Sequence, residues 1–350
     1  MECYLISNMY PSDDNPGYGI FIQNIENGLQ NNGCHIKYKS VIRGRGVSAF
    51  HKLLKYLCFN LSVIRNFFKI YDFIYIHYPT YSAIIILLLL KIKKKKVVIN
   101  YHGEDLLYDD NFYAKSLGYF ADILTKKYAT KVIVPSKYYK DVVIQRRLKE
   151  ESKIYISPSG GIDITKFYYK KIRNEILTLG FVGRLQEDKG VVEYIYACKR
   201  LAMLFPIKAY IIGYGPIFEE VKSMIQGDST FILINGVSQS QLPQYYNLFD
   251  LFCFPSKRRT ESLGLVGLEA MACGVPVIGS NIGGIPSYLV NSINGYLVSI
   301  DNLESDIVNS VQLYNALSDV QKKHMVSNCL KTAQMYNKDS VSKQLVKFLN

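Results

Sequence analysis

Two glutamates in a glycine-rich segment, Glu261 and Glu269, could accept hydrogen bonds from the hydroxyls of one extended ligand. The segment Glu261-Ser-Leu-Gly-Leu-Val-Gly-Leu-Glu269 predicts a loop and then a short buried helix, with Glu261 in the loop and Glu269 in the helix. Because a helix rises about 1.5 Å per residue, the carboxylates are expected roughly 10 Å apart along one cleft wall. That spacing suits two ends of one ligand better than a shared proton.

Gly264 and Gly267 lie where this helix is predicted to begin. Glycine leaves the free backbone N–H groups of a helix start uncovered, and such groups bind anions, so a phosphate is expected between the two carboxylates. The alternative is that both glutamates are solvated or cap the helix. The surrounding residues 255–284 favour the ligand site.

Two cations form a second candidate site. Arg184 follows a predicted strand in Gly183-Arg-Leu185, and Lys189 precedes Gly190 at the opening of the next helix. Arginine and lysine beside glycine-exposed amides at the mouth of a parallel strand are suited to a diphosphate. The alternative is a pair of surface cations near a helix start.

Together these motifs resemble the retaining, nucleotide-sugar-dependent glycosyltransferases of GT-B fold, the glycosyl transferases group 1, whose hallmark is two glutamates separated by seven residues. The resemblance implies that Arg184 and Lys189 hold the donor diphosphate, that Glu261 accepts hydrogen bonds from the sugar, and that Glu269 accepts them from ribose. It also places His102 near the reaction centre, although a lone histidine at a strand end is often structural. The predicted catalytic residues are His102, Arg184, Lys189 and Glu261.

The same resemblance assigns further donor contacts to glycines and to backbone at the start of the predicted helix. These residues are Gly17, Gly19, Gly183, Gly213, Gly215, Ser262, Gly264 and Leu265. Tyr214 stands where the family commonly has an acidic or small residue. Gly17 and Gly19 belong to Pro16-Gly-Tyr-Gly19, which lacks the third glycine of a dinucleotide fingerprint, and no acidic residue ends the next strand, so NAD binding is rejected.

The elements that must position these residues alternate between strand-like apolar runs and helix-length segments, which predicts parallel sheets. The runs are residues 4–7, 36–40, 73–77, 97–101, 132–134 and 154–156, and then 176–182, 207–212, 230–233, 251–254, 277–278 and 296–298. The expected fold class is α/β GT-B, with two facing Rossmann-like doubly wound domains and a cleft between them. The resemblance assigns acceptor binding to residues 1–165, completed by the C-terminal helix 338–350, and donor binding to residues 166–337.

Charge narrows the choice of partner. The formal net charge is +13, yet there is no zinc-ligand spacing, basic heptad helix or aromatic RNA-binding signature, so nucleic acid is not expected. Anionic substrates or an anionic membrane surface remain. The apolar run 83–90 is too short to span a bilayer. The five lysines that follow it indicate either a patch that binds the membrane surface or a solvated helix end. They are Lys91, Lys93, Lys94, Lys95 and Lys96.

The seven cysteines are scattered singly in apolar stretches, which indicates reduced core thiols in a cytoplasmic protein. The first residues lack the basic start and long apolar core of a signal peptide. The expected location is therefore the cytoplasm, peripheral on the inner face of the cytoplasmic membrane.

The expected function is transfer of a sugar, with retention, from a nucleoside diphosphate sugar to a hydroxyl acceptor. By resemblance that acceptor is a glycan or lipid-linked glycan in bacterial surface polysaccharide biosynthesis. No metal and no cofactor are expected. The alternatives are a nucleotide-sugar epimerase of the same fold and a non-catalytic nucleotide-sugar-binding protein.

Overall fold

The computed structural model describes residues 1–15, 17–46, 48–108, 112–170, 172 and 174–350. The chain forms two compact units. Unit 1 comprises Met1–Gly161 together with Lys338–Asn350, and unit 2 comprises Ile162–Asn337. Among the described residues, no helix is both long enough and apolar enough to cross a membrane.

Each unit is built on a parallel sheet of six strands. Every predicted strand is present, and most extend beyond the predicted run by one to three residues. The strands of unit 1 are β1 (Glu2–Tyr10), β2 (His35–Arg43), β3 (Phe73–His77), β4 (Val97–Asn100), β5 (Ala129–Val134) and β6 (Ile154–Ile156). Those of unit 2 are β7 (Leu177–Val182), β8 (Ile207–Gly213), β9 (Phe231–Asn235), β10 (Leu251–Phe254), β11 (Val277–Ser280) and β12 (Gly295–Val298).

Helices connect and cover the strands. In unit 1 they are α1 (Ile20–Asn31), α2 (Ala49–Phe67), α3 (Ala83–Ile92), α4 (Phe112–Tyr128) and α5 (Lys137–Gln145). In unit 2 they are α6 (Val191–Ala202), α7 (Phe218–Met224), α8 (Leu242–Tyr246), α9 (Leu265–Ala272), α10 (Leu303–Asn315) and α11 (Asp319–Met335). The last helix, α12 (Lys338–Leu349), returns to unit 1 and packs beside α1.

Apolar side chains fill both faces of each sheet, as expected for parallel sheets flanked by helices. In unit 1, one face packs against α2 to α5 and the other against α1 and α12. In unit 2, α6 and α10 cover one face, and α8, α9 and α11 cover the other. This doubly wound α/β arrangement agrees with the predicted fold class.

Strand order fixes where each sheet can bind a ligand. Unit 2 has the order β12-β11-β10-β7-β8-β9, so the direction of winding reverses between β7 and β10. Unit 1 has the order β2-β1-β3-β4-β5-β6, so its reversal lies between β1 and β3. Ligands of open parallel sheets bind beyond the carboxyl ends of the strands at such reversals. A ligand of unit 2 is therefore expected beside the segments that follow β7 and β10.

Candidate active site

An ion pair bridges the two segments that flank the reversal in unit 2. The Lys189 Nζ lies 2.7 Å from the Glu261 Oε2, although 72 residues separate them in sequence. Lys189 follows β7, and Glu261 follows β10. The two side chains are only 17% and 12% exposed, so solvent screens the pair less than it would a surface pair. The structure thus joins the predicted diphosphate cation directly to the predicted sugar-binding carboxylate.

Hydrogen bonds hold these two segments together. The Lys257 N–H donates to the Asp188 carbonyl oxygen over 2.8 Å. Within the segment after β10, the Ser256 hydroxyl donates to the Glu261 Oε2 over 3.1 Å and orients the carboxylate. Gly190 has φ +72°, in the left-handed region, and an added Cβ would stand 2.0 Å from the Pro255 carbonyl oxygen. Only glycine allows this close approach.

Arg184 lies on the same loop as Lys189 and is exposed, so its guanidinium is accessible to an anion. The backbone around Arg184 is fixed by the next loop, because the Leu185 N–H donates to the Tyr214 carbonyl oxygen over 2.9 Å. A Cβ at Gly213 would lie 1.8 Å from the Gly183 carbonyl oxygen, and one at Gly215 would lie 2.1 Å from the Leu185 carbonyl oxygen. Both glycines therefore permit the close packing that positions Arg184.

Helix α9 begins as the sequence predicts. Gly264 precedes it with φ +76°, and a Cβ there would meet the Phe254 ring at 2.3 Å. Leu265 is the first helical residue, and Ser262 is half-buried in the loop before it. Gly267 also serves packing. It makes room for Tyr288, whose hydroxyl would stand 2.2 Å from a Cβ at Gly267 and donates to the Gly264 carbonyl oxygen.

Glu269 projects from α9 into a buried polar pocket. Its Oε1 accepts a hydrogen bond from the Gln239 Nε2 over 3.1 Å, and its Oε2 accepts one from the Tyr246 hydroxyl over 3.3 Å. Burial raises the pKa of Glu269 to about 6, and these two hydrogen bonds oppose the rise. Sequence reasoning missed Gln239 and Tyr246, which lie 30 and 23 residues before Glu269 and in no motif.

Gly283 and Gly284, which follow β11, pack closely against the loop that carries Glu261. A Cβ at Gly283 would lie 2.3 Å from the Glu261 carbonyl oxygen, and one at Gly284 would lie 1.9 Å from the Ser262 carbonyl oxygen. The Gly284 N–H donates to the Glu261 carbonyl oxygen over 2.9 Å. The loop that carries Glu261 and Ser262 is thus held against the segment after β11.

In unit 1 the reversal between β1 and β3 brings together several predicted residues. Gly19 caps the start of α1 with φ +73°, and Gly17 is exposed before it. Pro16, the first residue of this motif, lies outside the described residues. Phe21 in α1 packs on the His102 ring, with 4.8 Å between ring centroids. The loop after β1 and the predicted catalytic histidine are therefore neighbours.

His102 has a partner that sequence reasoning missed. The Nδ1 of His77, the last residue of β3, lies 2.8 Å from the His102 Nε2. Tyr78 also stacks on the His102 ring, at a centroid distance of 5.1 Å. Burial lowers the pKa of His102 to about 3 and holds that of His77 well below its usual range. Both imidazoles are therefore neutral near pH 7.

In the neutral pair, one proton lies between the His77 Nδ1 and the His102 Nε2. The nitrogen that carries it determines whether the Nδ1 of His102 is a hydrogen-bond donor or an acceptor. Among the described residues, the buried Nε2 of His77 has no hydrogen-bond partner. A buried N–H without an acceptor is rarer than an unsatisfied acceptor, so we infer that His77 carries its proton on Nδ1 and donates to His102. The proton of His102 is then on its own Nδ1, which becomes a hydrogen-bond donor.

Asp105 serves the local turn. Its Oδ1 accepts the N–H groups of His102 and Gly103, both over 2.8 Å. Burial raises the pKa of Asp105 to about 7, while these hydrogen bonds oppose the rise. Asp105 therefore fixes the backbone that presents His102.

Two family models match the chain over most of its length. The model described as glycosyl transferases group 1 matches residues 167–327, which is most of unit 2. The model described as glycosyltransferase family 4 matches residues 24–165, which is most of unit 1. The match over residues 167–327 places unit 2 in the glycosyl transferases group 1 family. The predicted resemblance to the glycosyl transferases group 1 is thereby confirmed, whereas retention and the roles of the two glutamates stay predictions.

Curated relatives of this group 1 chain include bacterial surface-polysaccharide proteins. The capsular polysaccharide biosynthesis glycosyltransferase CapM of Staphylococcus aureus is 32% identical over 208 residues, which are 53% of each chain. The lipopolysaccharide 1,2-N-acetylglucosaminetransferase of Salmonella typhimurium is 28% identical over 58% of this chain and 56% of that protein. The chain thus spans about half the length of the curated relatives that it matches.

Solved structures agree with the GT-B fold over the full chain. Sucrose-phosphate synthase from Thermosynechococcus elongatus has a TM-score of 0.78 at 17% identity and covers 100% of this chain and 98% of that one. HepE of Anabaena, crystallised in complex with UDP, has a TM-score of 0.76 at 17% identity and covers 100% and 99%. At 17% sequence identity, the similarity to these structures shows the fold alone.

Proposed function

We propose that this group 1 chain is a retaining glycosyltransferase that moves a sugar from a nucleoside diphosphate sugar to a hydroxyl acceptor. The observation that carries the proposal is the Lys189–Glu261 pair at the strand reversal of unit 2. A cation and a carboxylate in contact match a donor that has a diphosphate bonded to a sugar. The UDP complex of the structurally similar HepE supports a nucleotide donor.

On this proposal, Arg184 and Lys189 bind the donor diphosphate. Negative charge builds on the diphosphate as the glycosidic bond breaks, so cations already in place stabilise the transition state. Backbone N–H groups after Gly264 add partial positive charge at the start of α9. We further propose front-face attack by the acceptor, with the departing phosphate oxygen accepting its proton, which gives retention without a covalent glycosyl-enzyme.

Glu261 and Glu269 divide the remaining donor contacts. Glu261 accepts hydrogen bonds from sugar hydroxyls and exchanges part of its contact with Lys189 for them. Glu269 accepts hydrogen bonds from the ribose diol, which two carboxylate oxygens can match. We propose that His102, presenting its Nδ1–H, contacts the donor sugar.

Donor binding should weaken below the pKa of Glu269. Protonation removes acceptor capacity, so with a pKa of about 6 we expect the Kd for the nucleotide sugar to rise about tenfold between pH 7 and pH 5. The diphosphodiester of the donor has no group that titrates in this window. Isothermal titration calorimetry at several pH values measures the effect.

Glu269→Gln is the control for this pH dependence. It keeps the shape of the side chain without a titrating group, so its weaker binding should not vary between pH 5 and pH 7. Because the folded-state pKa of Glu269 lies above the usual 4.5, ionising it costs stability as the pH rises from 4.5 to 6. The variant should therefore unfold at pH 7 at no lower temperature than the parent. If the variant showed the same pH dependence as the parent, Glu269 would be excluded as the group that causes it.

The acceptor is proposed as a glycan, most specifically a lipid-linked glycan of bacterial surface polysaccharide assembly at the inner face of the cytoplasmic membrane. The names of the relatives from Staphylococcus aureus and Salmonella typhimurium support this setting.

Incubating the purified protein and native membrane lipids with a panel of labelled nucleotide sugars tests the proposed function. We expect label from one donor to enter lipid or glycan. Conversion of free donor without any acceptor would instead identify a nucleotide-sugar epimerase. Donor binding with neither transfer nor conversion would indicate a non-catalytic binding protein.

A further inference from the structure

Nearly all of the net charge of the chain lies in one stretch. Residues 27–103 contain thirteen lysines and arginines and a single carboxylate, Asp72, whereas the whole chain has a formal net charge of +13. This stretch includes α2 and α3, which lie side by side on one face of the unit 1 sheet. Neither helix contains an acidic residue.

Helix α2 has two apolar faces, and the fold uses only one of them. Phe59, Val63 and Phe67 are buried against the sheet. Apolar residues also recur every three or four positions along the opposite side, which defines a stripe about 100° wide. This stripe is exposed and consists of Phe50, Leu53, Leu54, Leu57, Leu61, Ile64 and Phe68, with exposures from 37% to 69%.

Helix α3 continues the apolar surface. Ile84, Leu88 and Ile92 lie four residues apart and are 43%, 55% and 72% exposed. Contiguous exposed apolar area of this kind on a globular unit marks an interaction site. We call the stripe of α2 and these three residues the docking surface.

Cations surround the ends of the docking surface. The Lys95 ammonium donates to the Lys69 carbonyl oxygen over 2.8 Å and lies 4.1 Å from the Tyr71 ring centroid, so the end of α3 is tied to the end of α2. Lys95 is therefore not part of a free cationic patch, contrary to the sequence-based expectation. The exposed cations beside it are Arg65, Lys69, Lys91, Lys93, Lys94 and Lys96.

We propose that the docking surface binds an anionic lipid bilayer, with the apolar stripe at the acyl boundary and the cations at the headgroups. Exposed apolar side chains bordered by cations and without carboxylates match a membrane interface. A nucleic acid would leave the stripe in water, and an acidic protein partner would have to match a surface that is mainly aliphatic. This proposal rests on the proposed function, because binding to the bilayer would bring the chain to a lipid-borne acceptor. Binding to the bilayer itself does not require catalysis.

Flotation of the full chain with vesicles tests this proposal. We expect binding to vesicles of phosphatidylglycerol and phosphatidylcholine and much weaker binding to phosphatidylcholine alone. Replacing Lys91, Lys93, Lys94 and Lys96 with glutamine should weaken binding at least a hundredfold, because each lysine near an anionic surface contributes about 1 kcal/mol, or about fivefold. Leu57→Glu combined with Leu61→Glu should weaken it at least tenfold.

A matched control lies in unit 2. Met203 and Leu204 are 79% and 58% exposed, and Met203→Glu combined with Leu204→Glu adds the same charge there. This variant should float as well as the parent. Circular dichroism should show that all variants remain folded, since every substituted side chain is exposed.

Three results would overturn the proposal. One is equal binding to neutral and anionic vesicles, and another is equal loss in the unit 2 control. The third is a light-scattering mass showing that the lipid-free parent self-associates while Leu57→Glu with Leu61→Glu is monomeric and floats unchanged. Transfer to a detergent-dispersed acceptor separates this test from the proposed function, because the docking-surface variants should retain it.

Discussion

Lys189→Ala is expected to lower kcat/KM for the nucleotide sugar by about 10² to 10³, the usual cost of removing one preorganised charge from a transition state. The variant removes a cation that opposes charge on the departing diphosphate. It also leaves Glu261 with the Ser256 hydroxyl as its remaining side-chain contact among the described residues. Glu261→Ala should likewise lose transfer. Initial rates with the donor found in the panel assay measure both effects.

Lys257→Ala is the matched control. Lys257 lies on the same loop as Glu261 and forms its own ion pair, with 2.6 Å between its Nζ and the Glu193 Oε1. Like Lys189→Ala, the variant Lys257→Ala removes one positive charge and one ion pair, yet no role in donor binding is assigned to Lys257. We expect activity within about threefold of the parent, as for the loss of a partly exposed ion pair. Equal losses in the two lysine variants, or full activity of Lys189→Ala, would exclude the assignment of the diphosphate site.

Gly284→Ala is expected to abolish most activity and to lower the free energy of unfolding by about 3 kcal/mol, at the upper end for overpacking. Its Cβ would stand 1.9 Å from the Ser262 carbonyl oxygen, and backbone cannot rotate away as a side chain can. The loop that holds Glu261 must then move. Urea denaturation and the transfer assay measure the two effects.

Gly227→Ala separates this effect from the general cost of replacing glycine. Gly227 has φ +78°, and nothing lies within 4 Å of an added Cβ. The variant should lose only about 1 kcal/mol through left-handed strain and should retain transfer. If Gly284→Ala is no less stable than Gly227→Ala and remains active, the loop is not held by this contact.

Local pattern carried most of the fold prediction. Parallel strands buried on both faces give continuous apolar runs, and all twelve were visible in the sequence. The cations and glutamates of unit 2 could be proposed as site residues because their glycine-rich neighbours form a recognisable motif. The boundaries were less accurate, since strand ends such as Ala129 depend on pairing with neighbouring strands.

Long-range pairing limited the site prediction. Nothing local indicates that Lys189 contacts Glu261, that Gln239 contacts Glu269, or that His77 holds His102, because each contact arises only when strands and loops assemble. The exposed stripe of α2 was missed for another reason. Its exposed apolar residues recur every three or four positions, as those of a packed helix face do, so the pattern does not show which apolar side faces the sheet.

If Lys189 and Glu261 bind the donor as proposed, the contact between them has a consequence for turnover. Once the sugar has left, the carboxylate has lost its hydroxyl partners, and the ammonium beside it is the nearest replacement. As the two charges reunite, the grip on the spent nucleotide weakens, so the by-product departs more readily than the intact donor would. We therefore expect the protein to return to its resting arrangement through this salt bridge, with weaker inhibition by the by-product.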